Sequence, residues 1–320
     1  MSEISKGRAL AKKMLGERGT RLVRSVLRQI RAMRIRPESQ PAAKSVPEHF
    51  SRVEHVRTGI ERPCDAIAEH RFAKVCGPRK KISVVYNYFD KESTVFRSLE
   101  SLSKQHWQRC TPDDVEVILI DDGTPGATVA AKLPEEVLYL WQKKIGYGIC
   151  RAKNTGARTA NGDYLVFLDP DILVSPGYFD ALMDGFERYG NRVIQCGYVW
   201  DYHFIGCPDP RVEFGVWEMP DRPTNRFYQI AGGNMAMARS LYHQTPGFDE
   251  DLIYGGVEDL LFGHHLSKLP ETRVVFNKKM ESWHIPHPPS IAHAEPGKSW
   301  AVVQRKWPEF YDRYVVQGLR

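Results

Sequence analysis

The sequence predicts an α/β fold: a mostly parallel sheet covered by helices on both faces, preceded by a basic amphipathic helical extension. Two observations carry the sheet and a third the extension. Runs rich in Val, Ile and Leu alternate with helical patterns from about Lys80 onward, and two of those runs end in clustered aspartates. Such alternation calls for parallel strands buried on both faces. Ahead of them, Leu22, Val23, Val26, Leu27, Ile30 and Met33 recur at helical spacing among arginines.

Each element follows from its own pattern. KISVVYNYF (81–89) reads as the first strand, STVFRSLESLSKQ (93–105) as an amphipathic helix, and VEVILIDDG (115–123) as a buried strand ending in acid. VLYLWQ (137–142) is a short strand, RAKNTGARTANG (151–162) suits a helix, and DYLVFLDPD (163–171) is a further acid-tipped strand. The expected organisation is a basic arm and linker over 1–79, the α/β domain over 80–295 and a helical tail over 296–320.

Charge separates the arm from the body. Eleven Lys and Arg against two acids give residues 1–36 a charge of +9, so the net +6 of the 320-residue chain leaves −3 elsewhere. The arm suits packing on the main domain, docking on an anionic membrane surface, or contact with nucleic acid. The six cysteines form no C-x-x-C pair, which argues against a disulfide framework or a zinc site. With no long apolar run and no signal-peptide pattern, the expectation is a cytoplasmic protein, peripheral to the inner membrane face if the arm docks there.

Open parallel sheets bind ligands beyond the carboxyl ends of their strands, so Asp121, Asp122, Asp169 and Asp171 are expected at one site. Clustered carboxylates at a buried strand tip repel one another unless a cation or hydrogen-bond donors compensate. Oxygen ligands suit a hard divalent ion, Mg2+ or Mn2+, which would hold a diphosphate; capping of a turn by Asp171 is the plainer alternative. Glu258 and Asp259 precede the apolar run LLFGHHL, where a helix N-terminus favours an ionised carboxylate; simple helix capping is again the plainer reading.

Taken in order, VVYNYFDKESTVFRSLESLSKQ, VILIDDGT, RAKNTGARTANGDYLVFLDPDI, IAGGNMAMARS and PGFDEDLIYGGVEDLLFGHHL resemble the motifs of the family 2 glycosyltransferases, in the style of their galactosyltransferase and chondroitin-polymerase branch. The likeness runs from about Ile82 to about Pro289. It implies the GT-A fold, Rossmann-like, and inverting transfer of a sugar from a nucleotide-sugar donor, UDP-linked by preference, to a glycan hydroxyl. It implies that Asp122 or Asp121 contacts the base and ribose. Asp171, with Asp169 on the sugar or ribose side, would hold the metal under the diphosphate, His284 would be its third ligand, and His287 is the weaker histidine. Asp259 would be the catalytic base and Glu258 its partner on the acceptor.

Lys153 and Asn154 are expected to reach the diphosphate or to brace the loop, and further donor contacts are expected from Asn234 with the close-approach glycines Gly232 and Gly233, and from Tyr86 at the first strand's end. Trp200 and Tyr254 are the aromatics expected to stack on sugar. The G-x-G at Gly146–Gly148 is too short to read as a nucleotide loop. His265 stands where the family often has arginine. Transfer to nucleic acid or protein through the arm, or a binding module without transfer, are the alternatives.

Overall fold

The computed structural model describes residues 79–201, 222–285 and 295–317. The basic arm and linker of residues 1–78, His287 and the side chain of Trp200 lie outside them. Among the described residues, no helix is long and apolar enough to cross a membrane.

Eight strands form one sheet in the order β3-β2-β1-β4-β7-β6-β8-β5. They are β1 (Ile82–Tyr88), β2 (Val115–Asp121), β3 (Val137–Trp141), β4 (Tyr164–Leu168), β5 (Ile172–Val174), β6 (Val193–Asp201), β7 (Asn234–Ala238) and β8 (Arg273–His284). The first four are mutually parallel, as their unbroken apolar runs require. Beyond them the sheet is mixed: β7 runs antiparallel to β4 and β6, and β8 pairs parallel with β6 and antiparallel with β5.

Side chains alternate between two cores with the strand period of two. Val85, Ile118, Ile120, Leu165 and Phe167 enter one core, which helix α2 (Ile149–Thr159) covers with Cys150, Ala152 and Ala157. Val84, Tyr86, Leu119, Val166 and Leu168 enter the other, roofed by Val95 and Leu102 of helix α1 (Glu92–Ser103) and by Phe179 and Leu182 of helix α3 (Tyr178–Tyr189). Helix α4 (Glu258–Ser267) adds Leu261, Phe262 and Leu266 to the first core.

The C-terminal helical segment belongs to that same core. Val303 of helix α5 (Pro296–Lys306) and Phe310 beyond it are buried within it. Trp307 Nε1 and Lys306 Nζ donate to the carboxylate of Asp249 at 2.6 and 2.7 Å, and Ser299 Oγ donates to the Gly255 carbonyl at 2.8 Å. The segment thus clasps the loop that leads into α4.

Register brings the acid tips together. Tyr88 pairs with Asp121, so β1 and β2 end side by side, and Ile172 pairs with His284, which sets that histidine beside the end of β4. The Ile285 amide donates to the Asp171 carbonyl at 2.7 Å and closes this corner.

Close packing of α2 on β1 depends on Gly156, where a Cβ would stand 2.1 Å from the buried Val85 Cγ1. Gly156→Ala gains about 1 kcal/mol of helix propensity, yet overpacking of a stiff β-branched neighbour costs about 1–3 kcal/mol. The expected result is a net loss of stability in urea denaturation; a stabilised variant would show that the interface yields.

Candidate active site

A cleft of about 530 Å³ opens at the carboxyl ends of β1, β2 and β4. Its wall includes Asn87, Phe89, Lys91, Asp122, Lys144, Tyr147, Asp169, Asp171 and Tyr254.

At the β2 end the two neighbouring aspartates part company. Asp121 is fully buried and accepts from the Thr124 amide and the Tyr139 hydroxyl, both at 2.7 Å; burial pushes its carboxyl up. It braces the turn. Asp122 lines the cleft, and its oxygens accept from Gln142 Nε2 and Lys144 Nζ at 2.7 Å, the Gly148 amide at 3.1 Å and Arg151 Nη2 at 3.4 Å. The turn Gly146–Gly148, discounted from its spacing, therefore belongs to the site. A Cβ at Gly148 would fall 2.1 Å from Asp122 Oδ1.

Asp169 and Asp171 leave β4 in different surroundings. Asp171 Oδ1 lies 3.8 Å from His284 Nε2, and Asp171 Oδ2 lies 3.6 Å from Lys91 Nζ. Asp169 takes a hydrogen bond from Asn87, while its buried Oδ1 has no hydrogen-bond partner among the described residues. Burial pushes the Asp169 carboxyl up to about 6, against the pull of Lys153 and with the repulsion of Asp171 and Asp259.

Lys153 is the cation inside this cluster. It is 1% exposed, and its Nζ lies 3.4 Å from Asp259 Oδ1. Burial opposes its charge, yet Asp259, Asp169 and Glu258 together hold its pKa above the ordinary lysine value. The Gly232 amide donates to Asp259 Oδ2 at 2.8 Å. Consecutive glycines permit the arrangement: a Cβ at Gly232 would meet Asp259 Oδ1 at 2.2 Å, and one at Gly233 would meet Asp169 Oδ2 at 2.5 Å. Their small size thus seats two carboxylates against one stretch of backbone.

Glu258 folds back on its own helix start, with Oε2 accepting from the Gly256 and Val257 amides at 2.6 and 2.9 Å. Burial and the adjacent Asp259 push its carboxyl up.

Three residues expected to touch a donor are engaged elsewhere. Tyr86 is fully buried, its hydroxyl 2.8 Å from Ser98 Oγ in the α1 core, because its place in the strand's alternation turns it away from the cleft. Asn154 uses both ends of its amide on the loop before α4: Nδ2 donates to the Phe248 carbonyl and Glu250, and Oδ1 accepts from the Tyr242 hydroxyl and the Phe248 amide. Asn234 is 1% exposed, bonded to the Tyr178 hydroxyl at 2.6 Å and Ser282 Oγ at 2.9 Å. Conversely, the sequence reading missed Asn87, Phe89, Lys91 and Lys144. Position at or just past the carboxyl end of a strand was the signal that could have found them.

The donor set at the β4 end fits a hard divalent cation: a carboxylate oxygen and an imidazole nitrogen face each other, and an unpartnered buried carboxylate oxygen stands two residues away. Among the described residues, no three His, Cys, Asp or Glu side chains lie close enough to hold a metal alone.

Residues 82–231 match the family described as Glycosyl transferase family 2. The validoxylamine A glucosyltransferase of Streptomyces hygroscopicus subsp. limoneus is 25% identical over 250 residues, covering 66% of this chain and 52% of that protein. The polypeptide N-acetylgalactosaminyltransferase 8 of Drosophila melanogaster is 26% identical over 230 residues, covering 60% and 37%. The chain thus spans about half the length, or less, of these relatives. Among solved structures, GalNAc-T7 with UDP, GalNAc and Mn2+ superposes with a TM-score of 0.56 at 19% identity, over 74% of this chain and 49% of that one. S. aureus TarS 1-349 in complex with UDP-GlcNAc also gives 0.56, at 17% identity over 70% and 65%. The shared fold is GT-A.

Removing the buried cation should expose the repulsion it offsets. Lys153→Met is expected to lower stability at pH 7.5 by about 3–5 kcal/mol, the range for breaking a buried pair. A carboxyl whose folded pKa is raised above its unfolded value loses stability as pH rises through the folded pKa. Part of the loss should therefore return at pH 5, below the Asp169 value of about 6. Urea denaturation at both pH values tests this; an equal deficit at each would remove Asp169 from the balance.

Proposed function

We propose that this chain, whose residues 82–231 belong to glycosyl transferase family 2, is a metal-dependent hexosyltransferase that moves a sugar with inversion from a UDP-sugar to a hydroxyl of a glycan acceptor. The observation that carries the reading is the seating of Asp259 and Asp169 on consecutive glycines around the buried Lys153. It sets the helix-borne Asp259 close to the strand-borne Asp169, which lines the cleft. The ligands of the structural neighbours, UDP with Mn2+ in one and UDP-GlcNAc in the other, support a uridine nucleotide.

In this reading Asp122, held by Gln142, Lys144 and Arg151, meets the base at the β2 end. Phe89, 39% exposed beside the Lys144 ammonium, offers it an apolar face. Asp171 and His284 would hold Mn2+ or Mg2+, with Asp169 toward the sugar; the ion, when bound, supplies positive charge against the leaving diphosphate. Asp259 takes the proton from the acceptor hydroxyl as its oxygen bonds to the anomeric carbon and the bond to the diphosphate breaks. The Gly232 amide fixes one of its oxygens, and a side-chain exposure of 29% leaves the carboxylate within reach of an acceptor. Lys153 keeps its proton and stands beside the base as a fixed counter-charge. Glu258, bound to its own helix start, shapes the acceptor side of the loop.

A donor-hydrolysis screen over nucleotide sugars with Mn2+ or Mg2+ tests class and donor together; no hydrolysis of any of them would overturn the reading. Asp259→Asn is expected to lower transfer at least about 100-fold, in keeping with removal of a general base, while UDP affinity stays within about twofold. Unchanged turnover would remove Asp259 from the base role. Asp171→Ala should abolish the gain in UDP affinity that Mn2+ gives, read by calorimetry with and without chelator. An undiminished gain would place the metal elsewhere.

A further inference from the structure

The turn after β1 supplies a partner to each aspartate of the Asp-x-Asp pair: Asn87 bonds Asp169, and Lys91 Nζ lies 3.6 Å from Asp171 Oδ2. Lys91 immediately precedes α1, lines the same cleft, and its side chain is only 19% exposed. It stands on the opposite carboxylate oxygen from His284, which faces Oδ1. A metal held between Asp171 and His284 would leave the ammonium in place on the other oxygen. The cleft would then present two cations to a diphosphate, one brought in and one built into the chain.

We propose that Lys91 is a diphosphate-binding residue, a protein-supplied cation that contacts the β-phosphate of the donor beside the metal. The inference rests on the donor reading above. Three features fit it. The ammonium is confined, so little side-chain freedom is lost on binding phosphate. It is a compact point charge with three donors, able to serve a carboxylate and a phosphate oxygen together. Its 3.6 Å approach to Asp171 is longer than an ordinary hydrogen bond, so the ammonium can keep that carboxylate as a neighbour while it meets a phosphate oxygen. During transfer the bond between the anomeric carbon and the β-phosphate oxygen breaks and its electron pair stays on that oxygen. Lys91 offsets the charge that develops there without giving up its proton.

The test is calorimetric binding of UDP, UMP and uridine to the wild-type chain, Lys91→Met and Lys91→Arg, in chelator and in Mn2+. The expected result is that Lys91→Met weakens UDP at least tenfold in whichever condition the wild type binds it. UMP should weaken less than threefold and uridine not at all, and Lys91→Arg should keep UDP affinity within threefold. Equal UDP affinities in wild type and Lys91→Met overturn the proposal, as does an equal weakening of UDP, UMP and uridine, which would mark a structural role. Thermal melting of each variant separates misfolding from lost affinity, and Lys91→Arg still decides the case if Lys91→Met does not fold. A wild type that binds UDP in neither condition sinks the donor reading itself, and this proposal with it. A wild type that binds UDP while Lys91→Met matches it sinks the Lys91 assignment alone.

Discussion

A buried ammonium is tolerated only when opposite charges and hydrogen bonds offset its desolvation, and Lys153, 1% exposed among Asp259, Asp169 and Glu258, places that demand at the centre of the molecule. The acids need the lysine as much as it needs them, since like charges in low dielectric repel. The tips of β4 and α4 and the backbone at Gly232 are therefore held to positions that keep these groups near one another. The site has little freedom to spread.

Geometry at that centre is permitted by missing atoms as much as by present ones. Side chains at Gly232, Gly233 and Gly148 would overlap Asp259, Asp169 and Asp122 respectively. Close approach of backbone lets amide donors reach carboxylates directly, as the Gly232 and Gly148 amides do. Farther out, Asn154, Asp249, Trp307 and Lys306 fasten the loop before α4 to α2 and to the C-terminal segment. Asp259 is thus carried by a helix whose entry loop is tied from two sides, which suits a group that must face its target within narrow limits.

Much of this was legible from the chain. The apolar runs at 81–89, 115–123, 137–142 and 163–171 became β1 to β4 in parallel, with ends within three residues of the expected ones, because burial on both faces demands such runs. The acid tips fell at one edge because parallel strands share a direction. Tyr86 was misread because a motif register locates a residue along a strand without saying which face it takes, and here that face is the α1 core. Asn154 could be read as reaching a diphosphate or bracing a loop, and Asn234 as meeting sugar hydroxyls, because an amide reads alike in sequence whether it meets a ligand or a backbone; their partners here are the Phe248 loop and the Tyr178 hydroxyl. The mixed half of the sheet, with β7 and β5 reversed, left no signature in composition.

By itself the sequence determined the α/β class, the acid-tipped strands and the family motifs, since periodicity, strand length and short-range order are local properties of the chain. Tertiary structure alone decided which acid of each pair faces the cleft. Asp122 opens to it while Asp121 braces a turn, and Glu258 binds its own helix start while Asp259 turns toward Lys153. Those choices depend on contacts between groups up to a hundred or so residues apart, such as Lys153 with Asp259 at |i−j| = 106. Adjacent residues on a chain carry the same charge in print; only the packing around each sets which one is solvated, which is paired and which is left to bind.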